Sequence, residues 1–575
     1  MYDLLIRAGM IADGSGKPAF TGDVAITDGL IVATGKVEGP ARRTLNADGL
    51  LVTPGFVDVH THYDGQATWD PMLTPSCWHG VTTAVMGNCG VGFAPMKASQ
   101  KEFLIELMEG VEDIPGSVLA EGVDWAWESF PEYLDALESK PRIMDLGAQL
   151  PHAALRYYVM GERGAKREHA TAEDMQRMSD LTEQALKAGA MGFTTSRTIL
   201  HKTARGDYVP NYSAAGKELL AISQGVRRAG RGVLQLLSDF ENIEEEFGLL
   251  RECVKVSGRS LSFTLVQRVE FPQQWRELLV LIEKAQADGL QIRGQVAPRA
   301  VGLVLGLQGT LHPFMTKPSY VDIAHLPLAE RVVRMRDPAV RARILAEPFD
   351  SLPGRIPAFV ANILASLDRV FPLGDPPEYE PAPEASVAGV AARTGQDPMA
   401  LMYDLLLEGE GRALLFAPAA NYTDFNYDST LAMLRHPHTV VGLGDGGAHC
   451  GSICDGGFPT YLLTHWTRDR TRGERLPLEL AVQRYTRAPA ELIGLTDRGL
   501  IAPGMKADIN IIDHANLSLS PPHIVSDLPA GGRRLMQTAK GYAATIVSGQ
   551  VVIENDQATG ALPGKLLRGG RAPGK

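Results

Sequence analysis

The sequence predicts a (β/α)8 TIM barrel with a small β-sandwich built from both chain termini and an insertion before the last barrel strand. Three observations lead there. Through the middle of the chain, apolar strand-like runs alternate with helical stretches, the pattern of βαβ units around a parallel sheet. Both ends are instead short apolar runs broken by glycine turns. The 575 residues also exceed what one core accommodates, so a large domain with a satellite is expected.

The N-terminal half of the sandwich, residues 1–52, reads DLLIRAGMIADGSG, DVAITDGLIVATG and LNADGLLVTPG; Asp-Gly and Thr-Gly between such runs mark hairpins. Residues 496–575 echo it with GLIAPGMKADINIID and GYAATIVSGQVVIEND. Between them, residues 53–495 supply eight candidate strands: Phe56 to Val59, Thr82 to Met86, Ile143 to Leu150, Met191 to Thr195, Val233 to Leu237, Leu261 to Val266, Leu290 to Val296 and Val440 to Leu443. Stretches such as Glu173 to Ala188, Lys217 to Ala229 and Pro272 to Ala287 carry apolar residues at helical spacing. The gap between the last two strands is too long for one crossover, so residues 300–438 hold an insertion, with Asp375 to Glu384 its most loop-like part, a lid or an oligomer contact.

Composition narrows the partners. Hydrophobic residues at 45% and charged residues at 21% fit a soluble globular protein. A net charge of -11 opposes binding to nucleic acid or an anionic membrane, which reward a basic surface, and leaves a small-molecule substrate as the expected partner. The five cysteines are odd in number and scattered, so a reducing compartment fits. Met1 runs straight into a strand-like stretch, and no apolar run of about 18 residues follows, so a cytoplasmic protein is expected.

Chemistry concentrates in LVTPGFVDVHTHYDGQATWDPMLTPSCWHGVTTAVMGNCG, residues 51–90. A Pro-Gly turn releases Phe56-Val57-Asp58-Val59, which ends in His60 and His62. Side chains at i and i+2 of a strand share a face, so both imidazoles converge on one point at the strand's end. That is half a metal site. A second run, Val81 to Met86, ends in Asn88-Cys89-Gly90 and sets a thiol at the tip of the next strand. In a barrel of this type the active site lies at the C-terminal ends of the strands.

PGFVDVHTHYD followed by GVTTAVMGNCG resembles the first two barrel strands of the amidohydrolase superfamily, and the NCG ending is similar to its N-acyl-D-amino-acid deacylase (D-aminoacylase) branch. The resemblance implies a sandwich satellite and an aspartate closing the last strand that is both metal ligand and general base. Here that is Asp445, in TVVGLGDGGAHCGSICDGG, where a capping Asp in a glycine-rich turn is the alternative. The chain departs from the family at the fifth and sixth strands, which read GVLQLLSDF and LSFTLVQR where the family carries histidines. Gln235 stands near the first position and Thr264 or Gln267 near the second, and neutral amides and hydroxyls are weak ligands for a zinc-like ion. One Zn(2+) per subunit is therefore expected, held by His60, His62, Cys89 and Asp445. If all four bind, water either enters as a fifth ligand or displaces Cys89 or Asp445.

Around these stand candidate substrate contacts. His152 follows the third strand, Ser196 and Arg197 the fourth, and Arg293, Gln295 and Arg299 cluster at the seventh. An arginine fork matches a carboxylate. Gln235 and Gln267 join this set, and His449 is either a substrate contact, a partner of the ligands or a plain loop histidine. The chemistry implied is hydrolysis of a C–N bond outside a peptide chain, with N-acyl-amino-acid deacylation leading by resemblance. Opening of a cyclic amide or imide, and a non-catalytic binding protein, stay open beside it. A homo-oligomer is expected from the insertion and from the family's habits.

Overall fold

The computed structural model describes residues 1–349 and 357–569. Residues 350–356 of the insertion and 570–575 of the C-terminal segment lie outside them. Eight parallel strands form the barrel: β1 (Phe56–Asp58), β2 (Val81–Met86), β3 (Asp145–Ala148), β4 (Gly192–Arg197), β5 (Val233–Ser238), β6 (Leu261–Thr264), β7 (Ile292–Val296) and β8 (Thr439–Val441). These are the eight expected runs, with bounds shifted by no more than two residues. After Gln149 the third strand resumes as Leu150–Pro151, which pairs with β4. The circle closes beyond β8, where the Asp445 N–H donates to His60 O at 3.1 Å and the His62 N–H to Gly446 O at 2.8 Å.

The strands are apolar because both faces are covered. All six residues of β2, VTTAVM, are buried, as a parallel sheet wrapped by helices requires. The helix Ala172–Ala188 shows why the outer layer forms where it does. Thr171 accepts the Asp174 N–H and Asp174 returns the bond to the Thr171 N–H, a capping box that starts the helix. Met178, Thr182, Ala185 and Leu186 then line one buried stripe.

Strands from both chain ends share one nine-stranded sheet. The join is Leu51–Pro54, antiparallel to Ile509–Ile512 with Val52 opposite Ile511, over a separate core of Ile6, Val24, Val52, Ile509 and Ile546. Only Gly55 separates Leu51–Pro54 from β1, so the satellite sets the entry of the first barrel strand. A buried charge cluster fastens the two domains: Asp145 of β3 meets Arg498 at 2.7 Å and Lys506 at 3.0 Å.

The insertion leaves after β7 through Val301–Leu305, which pairs antiparallel with Leu415–Ala420. It has its own core, including Leu305, Phe314, Met335, Leu364 and Tyr403. Its irregular stretch Asp375 to Glu384 is tied down by buried Glu380, which takes His465 at 2.9 Å and Arg470 at 3.0 Å. That contact is a strut to the last barrel helices. Among the described residues, all five cysteines are free and buried, and no helix is long and apolar enough to cross a membrane.

Candidate metal centre

At the end of β1 the two imidazoles turn the same way, as residues two apart on a strand must. His60 Nδ1 lies 2.7 Å from Gln295 Oε1 on β7. An amide oxygen only accepts, so Nδ1 carries the proton and the Nε2 lone pair is free for a ligand. Gln295 is held in turn, its Nε2 donating to Ser262 Oγ at 2.9 Å. His62 Nδ1 faces Glu112 Oε1 at 3.3 Å.

Cys89 arrives from the end of β2 by a tight turn. Gly87 takes φ +81°, and a Cβ there would fall 2.3 Å from Gln149 O. Cys89 itself sits at φ 56° and gives its N–H to Gln235 Oε1 at 3.2 Å. Its Sγ comes within 3.2 Å of His60 Nε2, and the ligand atoms of His60, His62 and Cys89 all lie within 4.8 Å of one another.

Asp445 completes the ring from beyond β8. Its Oδ1 is 3.6 Å from His60 Nε2 and 3.6 Å from His62 Nε2. Gly444 before it packs against Asp58, whose Oδ2 a Cβ there would meet at 2.1 Å. Asp58 also receives the His60 N–H at 3.0 Å and the Tyr485 hydroxyl at 3.1 Å. Glu112, at the end of the helix Lys101–Glu112 and 1% exposed, places its second oxygen 3.5 Å from His449 Nε2.

The electrostatics call for a cation. Burial pushes His60 down to about 4, His62 to about 3 and His449 to about 4, so all three are neutral at pH 7 with lone pairs available. Burial, reinforced by neighbouring acids, raises Glu112 and the Cys89 thiol well above their ordinary ranges, and burial raises Asp445. Among the described residues, only histidines pair with Asp445 and Glu112. His62 Nδ1, Glu112 Oε2 and Asp445 Oδ1 are buried without a hydrogen-bond partner. Orphaned acceptors in a dry pocket are costly unless a ligand satisfies them. Two imidazoles, a thiol and a carboxylate suit zinc on softness and number.

The family model for the amidohydrolase family matches residues 43–553. The chain belongs to the amidohydrolase family. Two relatives from Alcaligenes xylosoxydans xylosoxydans match nearly end to end. They are a D-aminoacylase, 26% identical over 98% of this chain and 97% of its own, and an N-acyl-D-aspartate deacylase, 27% identical over 99% and 96%. A crystal structure of D-aminoacylase has a TM-score of 0.65 at 23% identity, covering 99% of this chain and 100% of its own. That of N-acyl-D-glutamate deacylase from Bordetella bronchiseptica, complexed with zinc and a phosphonate inhibitor, has 0.64 at 23%, covering 99% of each. This amidohydrolase is thus an enzyme of C–N bonds other than peptide bonds, on a metal-binding barrel.

The remaining residues singled out in the sequence fall into two groups in this amidohydrolase. Gln235, Gln295 and His449 meet the centre as described, and Ser196 reaches it through His201, whose Nδ1 is 3.1 Å from Ser196 Oγ. The others are spent elsewhere. Arg197 is no free clamp, because its guanidinium forks onto Glu246 at 2.8 to 3.1 Å. Arg299 is buried against Asp455 at 3.0 Å and lies over the Tyr379 ring. His152 bridges Thr195 at 2.8 Å and Glu218 at 2.9 Å. Gln267 ties the loop after β6 to Asp424 at 2.8 Å. Arg293 is the second residue of β7, at the end away from the histidines, where burial beside Arg484 and His438 holds its pKa down. Glu112 and His201 are the residues that sequence reasoning missed. His201 lies close enough for His62, His449 and His60 to reinforce the burial that lowers its pKa to about 3.

Proposed function

We propose that this amidohydrolase is a zinc-dependent N-acyl-amino-acid deacylase carrying one ion per subunit. The observation that carries the reading is the convergence of His60, His62, Cys89 and Asp445 on one dry point whose acceptors lack partners. Similarity to the D-aminoacylase and the N-acyl-D-aspartate deacylase over almost the whole chain supports the substrate class. The reading of a single ion is supported by β5 and β6, which offer Gln235 and Thr264, weak ligands for a second cation.

His60, His62, Cys89 and Asp445 would hold the ion, which when bound supplies Lewis acidity to polarise the amide carbonyl and acidify water. Gln295 keeps the Nδ1 proton of His60 outward, which leaves its Nε2 as a ligand, and Glu112 faces Nδ1 of His62 at 3.3 Å, on the side away from Asp445. Asp445 is the general base: its Oδ1 accepts a proton from the attacking water and passes it to the leaving nitrogen.

The test is a panel of N-acyl D- and L-amino acids assayed beside hydantoins and cyclic imides, with zinc per chain counted by elemental analysis. Turnover of the acylated amino acids with about one zinc per chain is expected. Turnover of ring compounds alone rejects the deacylase assignment, and a folded, inert protein without metal rejects the enzyme's proposed mechanism.

A further inference from the structure

Gln235 is 2% exposed, accepts the Cys89 N–H with Oε1 at 3.2 Å, and has an Nε2 that finds no partner. One strand over, Thr264 is half-buried, with an Oγ1 that is itself buried and unpartnered. The register places them. Gln235 of β5 stands opposite Ser262 of β6, and Ser262 Oγ accepts from Gln295 Nε2 while Gln295 Oε1 holds His60. Gln235, Ser262, Gln295 and His60 therefore form one inward layer of the barrel. Thr264, two residues beyond Ser262 on the same face and opposite Gln295 in the register, stands nearer the C-terminal mouth than Ser262.

Orientation decides what this wall can do. The Gln235 oxygen is committed to the Cys89 amide, so the atom left over is an N–H, which has no lone pair for a cation and serves only an acceptor. It borders the candidate metal centre through Cys89, whose N–H Gln235 accepts and whose Sγ lies 3.2 Å from His60 Nε2. A buried donor left unmet is destabilising. Such donors persist where a ligand meets them.

We propose that Gln235 Nε2 and Thr264 Oγ1 are the donors that receive the carbonyl oxygen of the scissile amide and stabilise the negative charge that develops on it. The inference rests on the deacylase reading. Water's oxygen bonds to the carbonyl carbon, the C=O π pair moves onto the oxygen facing the two donors, and Asp445 takes water's proton. Collapse restores the C=O, the C–N bond breaks, and the proton goes to nitrogen, giving a carboxylic acid and an amine. Fixed donors aimed at the position of growing charge act without reorganisation, and losing one typically costs about a hundredfold to a thousandfold in kcat.

Two variants of the zinc-loaded enzyme test this. Thr264→Val keeps the shape and deletes the hydroxyl; Gln235→Glu keeps an acceptor for Cys89 and turns the donor into another acceptor. Gln235→Glu should lower kcat about a hundredfold or more and Thr264→Val at least tenfold, with KM nearly unchanged. Affinity for an N-acyl phosphonate, measured by calorimetry, should fall in step with kcat/KM. Affinity for the product amino acid and zinc content should stay as in the wild type. A merely structural role would instead lower zinc content, or weaken both ligands alike. Wild-type kcat and phosphonate affinity in both variants overturn the inference, as does recovery by added zinc. If the wild type hydrolyses a different amide, the deacylase reading fails alone, and the same variants decide the donor assignment on that amide. A wild type that hydrolyses nothing overturns both.

Discussion

Replacing Glu112 by glutamine isolates what its carboxylate does for the metal centre. Oε1 faces His62 Nδ1 at 3.3 Å from a position 1% exposed, and the carboxylate touches His449 on its other side. A hydrogen bond to a charged acceptor contributes about 1.5 to 3 kcal/mol, and outer partners of ligating histidines typically change metal affinity about tenfold to a hundredfold. Zinc affinity of Glu112→Gln should therefore fall within that range, equivalent to about 1.4 to 2.8 kcal/mol. The metal-free protein should behave differently. Burial disfavours a charge on Glu112 there, glutamine has the same shape, and the melting temperature should move by no more than about 2 °C. Competition with a chromogenic chelator reads the first quantity and calorimetry of the metal-free protein the second. Unchanged zinc affinity, or a metal-free variant that melts far lower, would refute the assignment of Glu112 to His62.

Three further outcomes are expected. Asp445→Asn keeps a ligating oxygen but loses basicity, so zinc should stay bound while kcat falls about a hundredfold to ten-thousandfold, and added zinc should not restore it. Cys89→Ala should lower zinc occupancy by elemental analysis, with partial recovery of activity in excess zinc. Asp145→Asn should destabilise the protein by about 3 kcal/mol near pH 7, read as a lower melting temperature. Burial raises the Asp145 carboxyl, but Lys506 and Arg498 outweigh it and hold the carboxyl below the usual range. Its contribution is therefore complete above the unfolded value of about 3.9 and is lost as pH falls through the folded value, so the two melting curves should converge below about pH 4.

What was legible in the sequence follows from periodicity. An apolar run marks a buried strand and its end, and a period of two says which side chains share the face, so His60, His62, Cys89 and Asp445 could be placed on a common rim. Glu112 could not. MEGVED reads as the solvated end of a surface helix, and nothing in its spacing points to the strands. The pull inward comes from contacts remote in the chain: Asp113 turns to φ 52° and binds Ser452 Oγ at 2.7 Å and Gly451 N–H at 3.2 Å. His201 sits beyond β4 for a comparable reason, its place set by the Ser196 hydroxyl. Arg197 and Arg299 illustrate the converse error. The sequence shows a charge but not its partner, and Glu246 and Asp455 lie 49 and 156 positions away.

Those remote contacts also explain how an aspartate that follows a long insertion can meet histidines near the chain's start. The loop after β8 is clamped between two elements made early in the chain. His60 O and the His62 N–H hold Asp445 and Gly446 from one side. From the other, Glu112 O and Asp113 O receive the N–H groups of His449 and Cys450, while the Asp113 carboxylate takes Gly451 and Ser452. One short segment, Glu112-Asp113, therefore meets His62 through its first side chain and anchors the Asp445 loop through its second. The insertion grips the same loop, since the Val304 and Thr310 N–H groups donate to Ser452 O at 2.7 Å and to Gly451 O at 2.9 Å, while its strut through Glu380 ends on His465 and Arg470. The loop that carries Asp445 is thus held from three sides, by the end of β1, by Glu112-Asp113 and by the first residues of the insertion.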